Sequence, residues 1–251
     1  EKEFLDEFQK LCYSRSSWQV WADLMAAMAC SISNVADRSP EHYESREKEY
    51  AQCIERLGSV EIPAKMLAII VEALERNPEQ DFLGEMYMQL NLGNHWKGQF
   101  FTPYCVCKMM SEITCEDVDS HIEKQGYLSI CDPACGTAGF LISSAEYIRS
   151  EYGNKMTAEQ WEKYGSETFT GFDTDETMCR LSCMNLMLHS VINPQLNKQD
   201  SVSKDYQVKD AYDLILANPP FKGTINKENI NESLLAITNT TKTELLFVEI
   251  G

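Results

Sequence analysis

Apolar side chains in the first 97 residues recur at the three- and four-residue spacing of amphipathic helices. The pattern predicts helices over residues 3–12, 18–32, 40–57, 63–76 and 81–90. Ser39 followed by Pro40 is a typical helix start, because serine caps a helix well and proline fits its first turn. We therefore expect residues 1–97 to form an all-helical N-terminal domain.

From residue 98 onward the pattern changes to short apolar runs bounded by Gly, Pro and Asp, which alternate with amphipathic stretches. Strands are predicted at 127–131, 168–172 and 212–217, with a further short strand near 194–197, and helices at 138–152 and 176–191. This alternation is typical of a parallel α/β sheet, whose ligands bind beyond the carboxyl ends of its strands. The almost wholly apolar run at 212–217 is expected to be buried on both faces.

The composition fits a globular protein, with 43% hydrophobic and 24% charged residues. No apolar run approaches the roughly 18 residues that a membrane-spanning helix needs. The chain opens without the pattern of a secretory signal. The ten cysteines are therefore expected to be reduced thiols. These features predict a cytoplasmic protein with no membrane partner.

The charge balance limits how the protein can meet nucleic acid. Lys and Arg number 22 against 39 Asp and Glu, which gives a formal net charge of −17. Such a chain cannot coat DNA by bulk attraction. An enzyme that acts on nucleic acid remains compatible with this charge if a partner provides its DNA-binding affinity.

The first candidate site follows the strand predicted at 127–131. Gly136 and Gly139 allow a tight turn and a close approach of the backbone to a ligand, and Asp132 stands at the strand tip. A carboxylate there would repel a pyrophosphate but suits a ligand that carries an ammonium and a sulfonium. The segment therefore favours S-adenosylmethionine over NAD or ATP, with a plain strand-to-helix turn as the alternative.

Two further candidate sites follow the next strands. Asp173 stands where an acid can grip the hydroxyls of an adenosine ribose, although a solvated loop acid would look the same. Asp175 could instead cap the following helix.

The segment Asn218-Pro219-Pro220-Phe221 breaks the chain after the last strand. Its Asn amide oxygen and Pro carbonyl are two acceptors without a competing N–H, which match the two donors of an exocyclic amino group. Phe221 offers a flat face for a base taken out of the duplex. The alternative is a rigid turn that ends a strand.

Together these segments resemble the methyltransferase region of the modification subunits of type I restriction–modification systems, which are adenine-N6 DNA methyltransferases. The matching segments are GQFFTP at 98–103, DPACGTAGF at 132–140, GFDTD at 171–175, MNLxLH at 184–189, DS at 200–201 and NPPF at 218–221. The resemblance implies a Rossmann-like, S-adenosylmethionine-dependent methyltransferase core over residues 98–251, after the helical domain.

The resemblance also implies a role for each matched residue. The residues implied for the cofactor are Phe101, Thr102, Pro103, Asp132, Pro133, Gly136, Gly139, Asp173, Asp200 and Asn218. Those implied for the target adenine are Asn218, Pro219, Pro220 and Phe221. The implied reaction is direct methyl transfer that needs no metal.

The resemblance implies DNA, a specificity subunit and a restriction subunit as partners. This family usually continues beyond the point where the present chain stops, so we expect a core that is incomplete at its C-terminus, with the strand at 212–217 as an exposed apolar edge. Two alternatives stay open. One is a methyltransferase of another amide or amine, such as a protein glutamine or an RNA base. The other is a non-catalytic cofactor-binding or assembly subunit.

Overall fold

The computed structural model describes residues 1–92, 101–220 and 223–250. The helices in these residues are α1 (Lys2–Leu11), α2 (Ser17–Ala36), α3 (Pro40–Leu57), α4 (Glu61–Arg76), α5 (Phe82–Gln89), α6 (Tyr104–Thr114), α7 (Val118–Gln125), α8 (Gly139–Tyr152), α9 (Ala158–Ser166), α10 (Glu176–Leu188), α11 (Glu232–Ile237) and α12 (Thr243–Val248). The strands are β1 (Ile130–Asp132), β2 (Phe169–Asp173), β3 (Gln195–Lys198) and β4 (Leu214–Ile215). In the part of the chain that is described, no helix is both long and apolar enough to cross a membrane.

The first five helices pack around one aromatic cluster. Trp21 of α2 is fully buried, and the rings of Phe4, Phe8 and Tyr87 meet it edge-on at centroid distances of 6.4, 6.0 and 5.8 Å. Met178, Leu181 and Met184 of α10 belong to the same core. The N-terminal helices and the helix after β2 therefore share one hydrophobic core, and a domain boundary at residue 97 stays a prediction.

The four strands form one parallel sheet in the order β3-β2-β1-β4. Asp132, the last residue of β1, pairs with Gly171, and Ile130 pairs with Leu214. Because all strands run the same way, their carboxyl ends meet at one edge. The strand order reverses between β1 and β4, and a crevice at such a switch point is where open α/β sheets bind ligands.

Strand β4 is shorter and less buried than its apolar sequence predicts. Only Leu214 and Ile215 pair as a strand, and both are half-buried, so the expectation of burial on both faces is wrong for them. The reason is that β1 is the single strand neighbour of β4 among the described residues. Asp213 fixes the start of β4, since its Oδ2 accepts hydrogen bonds from the Ser129 backbone at 2.9 Å and from the Ser129 hydroxyl at 2.7 Å.

Helix α6 was not predicted from the apolar pattern. It packs against α8 through a buried hydroxyl cluster, in which Ser111 Oγ lies 2.8 Å from Ser143 Oγ and 3.0 Å from Ser144 Oγ. Serines at an interface leave no apolar stripe in the sequence. In addition, two apolar residues of α6, Met109 and Ile113, are exposed and so do not mark its buried face. Through this packing α6 brings Cys107 beside the glycine turn that precedes α8.

Candidate functional site

A cavity of about 350 Å³ opens at the carboxyl ends of β1, β2 and β4. The predicted site residues that line it are Phe101, Thr102, Asp132, Pro133, Gly136, Gly139, Asp173, Asp200, Asn218, Pro219 and Pro220. Pro103 is exposed and stands at the residue before α6, outside this lining. Phe221 lies outside the described residues. The three strand-end segments thus meet at one cavity, while their roles toward a ligand stay predictions.

The turn after β1 depends on one glycine. Gly136 has a φ of +53°, a region that side chains rarely adopt. A Cβ atom at this position would lie 2.8 Å from the Phe101 ring, so the glycine also allows Phe101 to sit directly against the turn. Helix α8 begins three residues later at Gly139, after Ala138, which itself has a φ of +69°. The chain therefore holds this turn in a strained shape that brings its backbone to the cavity wall.

Hydrogen bonds tie the turn to the end of β2. The Gly136 N–H donates to Asp173 Oδ2 at 3.2 Å, and the Cys135 N–H donates to the Phe172 carbonyl at 2.9 Å. Asp132 Oδ1 accepts from the Ala134 N–H at 3.0 Å. Asp173 Oδ1 accepts from the Asp175 N–H at 2.8 Å. Each carboxylate is thus held by backbone amides at a fixed point of the wall.

The two carboxylates sit in an electrostatically costly place. Asp132 is only 1% exposed, and its burial, with the nearby charge of Asp173, raises its pKa to about 7. Burial likewise raises the pKa of Asp173 to about 6. Among the salt bridges of residues 1–92, 101–220 and 223–250, none involves either acid. A ligand that brings a positive charge and hydroxyl donors would relieve this cost.

Asp175 caps the helix after β2. Its Oδ1 accepts from the N–H groups of Thr177 and Met178 at 2.7 and 3.1 Å, which confirms the capping interpretation. Asp173, by contrast, faces the cavity and is not a solvated loop acid. The two acids of this segment therefore have separate tasks.

The wall near Asn218 is completed by the chain that follows it. Ile225, Thr243 and Phe247 line the same cavity. Asn218 itself is half-buried and lines the cavity. Pro219 and Pro220 beside it cannot donate a backbone hydrogen bond.

Two further residues of the cavity wall, Ser201 and Cys107, had no role predicted from the sequence. Ser201 Oγ donates to the Pro133 carbonyl at 2.7 Å and so links the segment after β3 to the turn after β1. A Cβ atom added at Gly139 would lie 3.2 Å from Cys107 Sγ, and burial raises the pKa of the Cys107 thiol to about 12. In the described ranges, no three His, Cys, Asp or Glu side chains are grouped as a metal site.

The buried polar residue beside the site that sequence reasoning missed most clearly is Asp81, directly before α5. The Thr137 hydroxyl donates to Asp81 Oδ2 at 2.5 Å, and the Asn185 amide donates to Asp81 Oδ1 at 2.8 Å. In the sequence Asp81 has only the signature of a helix cap. Its partners lie 56 and 104 residues away, so no local pattern could reveal them.

A parallel sheet with a glycine turn after β1, an acid at the end of β2 and an Asn-Pro-Pro segment after β4 is the arrangement expected of a methyltransferase with a Rossmann-like core. A family profile for N-6 DNA methylases matches residues 78–250, and the chain belongs to that family. This confirms the resemblance to the modification subunits that the motifs indicated.

Curated relatives agree with this family. The chain is 28% identical over 179 residues to the type I restriction enzyme EcoEI methylase subunit of Escherichia coli. The aligned segment covers 68% of the chain and 34% of the relative. It is 28% identical over 190 residues to the type II methyltransferase M.VspI of Vibrio sp. (strain 343), covering 73% of the chain and 40% of the relative. The chain thus spans well under half of the length of these relatives, 34% of one and 40% of the other.

Solved structures show the same fold. A chain from a structure of a type I R-M system superposes with a TM-score of 0.59 at 18% identity, covering 99% of the present chain and 60% of the other. The methyltransferase subunit of a type I restriction–modification system from Streptococcus thermophilus gives a TM-score of 0.50 at 19% identity, covering 91% and 52%. The predicted α/β methyltransferase core with a helical N-terminus is confirmed.

Proposed function

We propose that this chain is the catalytic part of a DNA methyltransferase that transfers a methyl group from S-adenosylmethionine to N6 of adenine, within a restriction–modification system. The observation that carries the proposal is the convergence of Asp132, Asp173 and Asn218 on one cavity. Two of these side chains suit a cationic, hydroxyl-bearing cofactor, and the third suits an amino group. The methylase relatives support the same reaction class.

The residues present fit S-adenosylmethionine. Asp132 and the Gly136 turn would hold its amino-acid part, because a buried carboxylate without a cationic neighbour gains most from an ammonium. Asp173 would accept hydrogen bonds from the ribose hydroxyls, and Asp200 from the adenine amino group. Phe101 and Thr102 would lie against the methionine end. When bound, the cofactor would supply an electrophilic methyl group.

The chemistry of the Asn218 segment follows from its hydrogen-bonding groups. The Asn218 amide oxygen and the Pro219 carbonyl can each accept one N–H of an adenine amino group. Two fixed acceptors would orient that nitrogen and favour its change toward tetrahedral geometry as it attacks the methyl carbon. The charge of the sulfonium passes to the methylated amine, so charges of opposite sign need not be separated. Phe221 would stack on the displaced base.

The partners follow from charge and from the relatives. A net charge of −17 gives little general attraction to DNA, so sequence recognition is assigned to a specificity subunit, with a restriction subunit as a further partner. We place the protein in the cytoplasm, where its ten cysteines, all free in the structure, would stay reduced.

Cofactor binding is tested first, by titration calorimetry with S-adenosylmethionine. Methyl transfer is then measured with radiolabelled cofactor and adenine-containing DNA, in the presence and absence of a cognate specificity subunit, followed by nucleoside analysis. We expect label in N6-methyladenine, at least about a hundredfold reduced in Asn218→Ala and unchanged in Asn197→Ala, an exposed asparagine on β3. Cofactor binding without any labelled DNA would favour an assembly role. Label on protein or RNA would show that the substrate is not DNA.

A further inference from the structure

The Asp81 carboxylate joins three separate parts of the protein. It is 5% exposed and caps α5, with its Oδ1 accepting from the Gly84 N–H at 2.9 Å. The same oxygen accepts from the Asn185 amide at 2.8 Å, and Oδ2 accepts from the Thr137 hydroxyl at 2.5 Å. Asn185 also donates to the Thr137 backbone carbonyl at 2.9 Å, so the three buried residues are all joined to one another.

This arrangement is more than a helix cap needs. A cap satisfies the free N–H groups of the first helical turn with one oxygen. The second oxygen of Asp81 instead accepts the hydrogen bond from Thr137 in the turn after β1. Gly84 makes the close approach possible, because a Cβ atom there would lie 2.1 Å from Asp81 Oδ2.

Helix α5 reaches the same turn by a second route. The Tyr87 ring meets the Phe101 ring edge-on at a centroid distance of 5.1 Å. Phe101 also lies against Gly136, because a Cβ atom added at Gly136 would lie 2.8 Å from the Phe101 ring. The turn is therefore held by Asp81 at Thr137 and by the Tyr87–Phe101 pair at Gly136.

We infer that Asp81 is a positioning residue for the cofactor site, acting through Thr137. Thr137 lines the cavity, whereas Asp81 does not, so Asp81 is placed to act on the turn rather than to contact a ligand. The bond is charge-assisted and buried, the kind whose loss has the largest effect. The helical N-terminal region thus preorganises the site. The identity of the ligand rests on the proposed function, but the fixing of the turn does not.

The test compares four variants with the natural chain. Thr137→Val removes the hydroxyl at nearly constant shape, and Thr137→Ser restores it. Asp81→Asn keeps an oxygen for Gly84 and Asn185 but replaces the acceptor of the Thr137 bond. Thr168→Val is the matched control, because Thr168 is also 2% exposed and lies before β2, at the opposite end of the sheet.

Hydrogen exchange of the ligand-free protein is the first measurement. The amides of Cys135, Gly136 and Ala138 are all hydrogen-bonded in the structure, so their exchange reports the order of the turn. We expect about tenfold faster exchange in Thr137→Val and Asp81→Asn. Thr137→Ser and Thr168→Val should match the natural chain. Equal exchange in Thr137→Val and Thr168→Val would overturn the inference, whatever the ligand is.

Affinity for S-adenosylmethionine is the second measurement, and it includes the double variant. We expect about tenfold weaker binding in each of Thr137→Val and Asp81→Asn, and no further loss when the two are combined. Effects that multiply in the double variant would show that Asp81 does not act through Thr137. If the natural chain binds no S-adenosylmethionine, the proposed cofactor is wrong, and the exchange result decides the inference alone.

Discussion

The Gly136 N–H donates to Asp173 Oδ2 across 3.2 Å, and this bond joins the turn after β1 to the last residue of β2. Two ligand-facing segments are thereby set at a fixed distance before any ligand binds. The bond also places a backbone amide on a buried carboxylate, which lowers part of the cost of keeping Asp173 charged.

Gly136→Ala is expected to abolish cofactor binding. Alanine at a φ of +53° costs about 1 kcal/mol, and its Cβ would lie 2.8 Å from the Phe101 ring and displace it from the turn. Gly58→Ala is the matched control, since Gly58 has a φ of +72° but nothing within 4 Å of the added carbon. Chemical denaturation should show a loss of about 1 kcal/mol in Gly58→Ala and a larger loss in Gly136→Ala, where Phe101 is displaced as well. Equal cofactor affinity in the two variants would show that Phe101 and the turn do not form the site.

Asp132→Asn is expected to stabilise the ligand-free protein at pH 8. The pKa of Asp132 is raised to about 7 in the folded protein, from 3.8, so its ionised form is disfavoured there. Below pH 4 both folded and unfolded states hold the proton and no penalty exists. The penalty grows as the pH rises from about 4 to about 7 and is complete above that range. One pKa unit corresponds to ~1.4 kcal/mol, so urea unfolding at pH 8 should show a gain of up to ~4 kcal/mol for the variant.

The same variant should bind S-adenosylmethionine far more weakly, because it lacks the charge that meets the ammonium. A stability gain with affinity unchanged would remove Asp132 from the cofactor site. The stability difference between the variant and the natural chain should be larger at pH 8 than at pH 4. An equal difference at both pH values would contradict the raised pKa of Asp132.

Cofactor affinity should increase with pH through the range from 6 to 7. The raised pKa values of Asp132, about 7, and Asp173, about 6, mean that the free site holds protons that a cationic ligand must expel. Calorimetry in buffers of different ionisation enthalpy should therefore detect proton release near pH 6 and little at pH 8. Asp132→Asn should lose most of this pH dependence. Affinity that falls as the pH rises from 6 to 7 would contradict this account of the site.

Asp213→Ala is expected to loosen β4 and the Asn218 segment while leaving the cofactor site intact. Strand β4 has only two paired residues, and Asp213 Oδ2 accepts from the Ser129 backbone, the Ser129 hydroxyl and Gln125. Because Asp213 is partly exposed, the loss of stability should be about 1 kcal/mol.

In this variant the Leu216 amide, which donates to the Cys131 carbonyl at 3.0 Å, should exchange faster. Methyl transfer should fall more than cofactor affinity. Asp205→Ala, at an exposed loop acid, should change neither. A parallel loss of affinity and transfer would show that β4 does not serve the target side separately.

The sequence predicted best where signals are local. Helix α3 runs over Pro40–Leu57 as predicted, because Ser39-Pro40 sets its start and Gly58, in the left-handed region, ends it. The capping of α10 by Asp175 could also be predicted, because an aspartate directly before a helix is a local signal. The three strand-end segments could be assigned to one edge because parallel strands leave no other arrangement.

What the sequence could not provide depends on contacts between distant segments. The apolar run at 212–217 predicted a strand buried on both faces, but the burial of Leu214 and Ile215 depends on what packs against them in the whole sheet. Helix α6 is held by Ser111 against α8, and serines carry no apolar signal. Asp81 has the sequence signature of any cap, and its bond to Thr137 emerges only when α5 packs beside α8 and α10.

A crystal structure with S-adenosylhomocysteine tests the central claim most directly. We predict that the ligand occupies the cavity at the switch point between β1 and β4, with its amino group on Asp132, its ribose hydroxyls on Asp173 and its sulfur toward Asn218. A ligand bound elsewhere, or one whose sulfur faces away from Asn218, would contradict the proposal that these three segments form one methyl-transfer site.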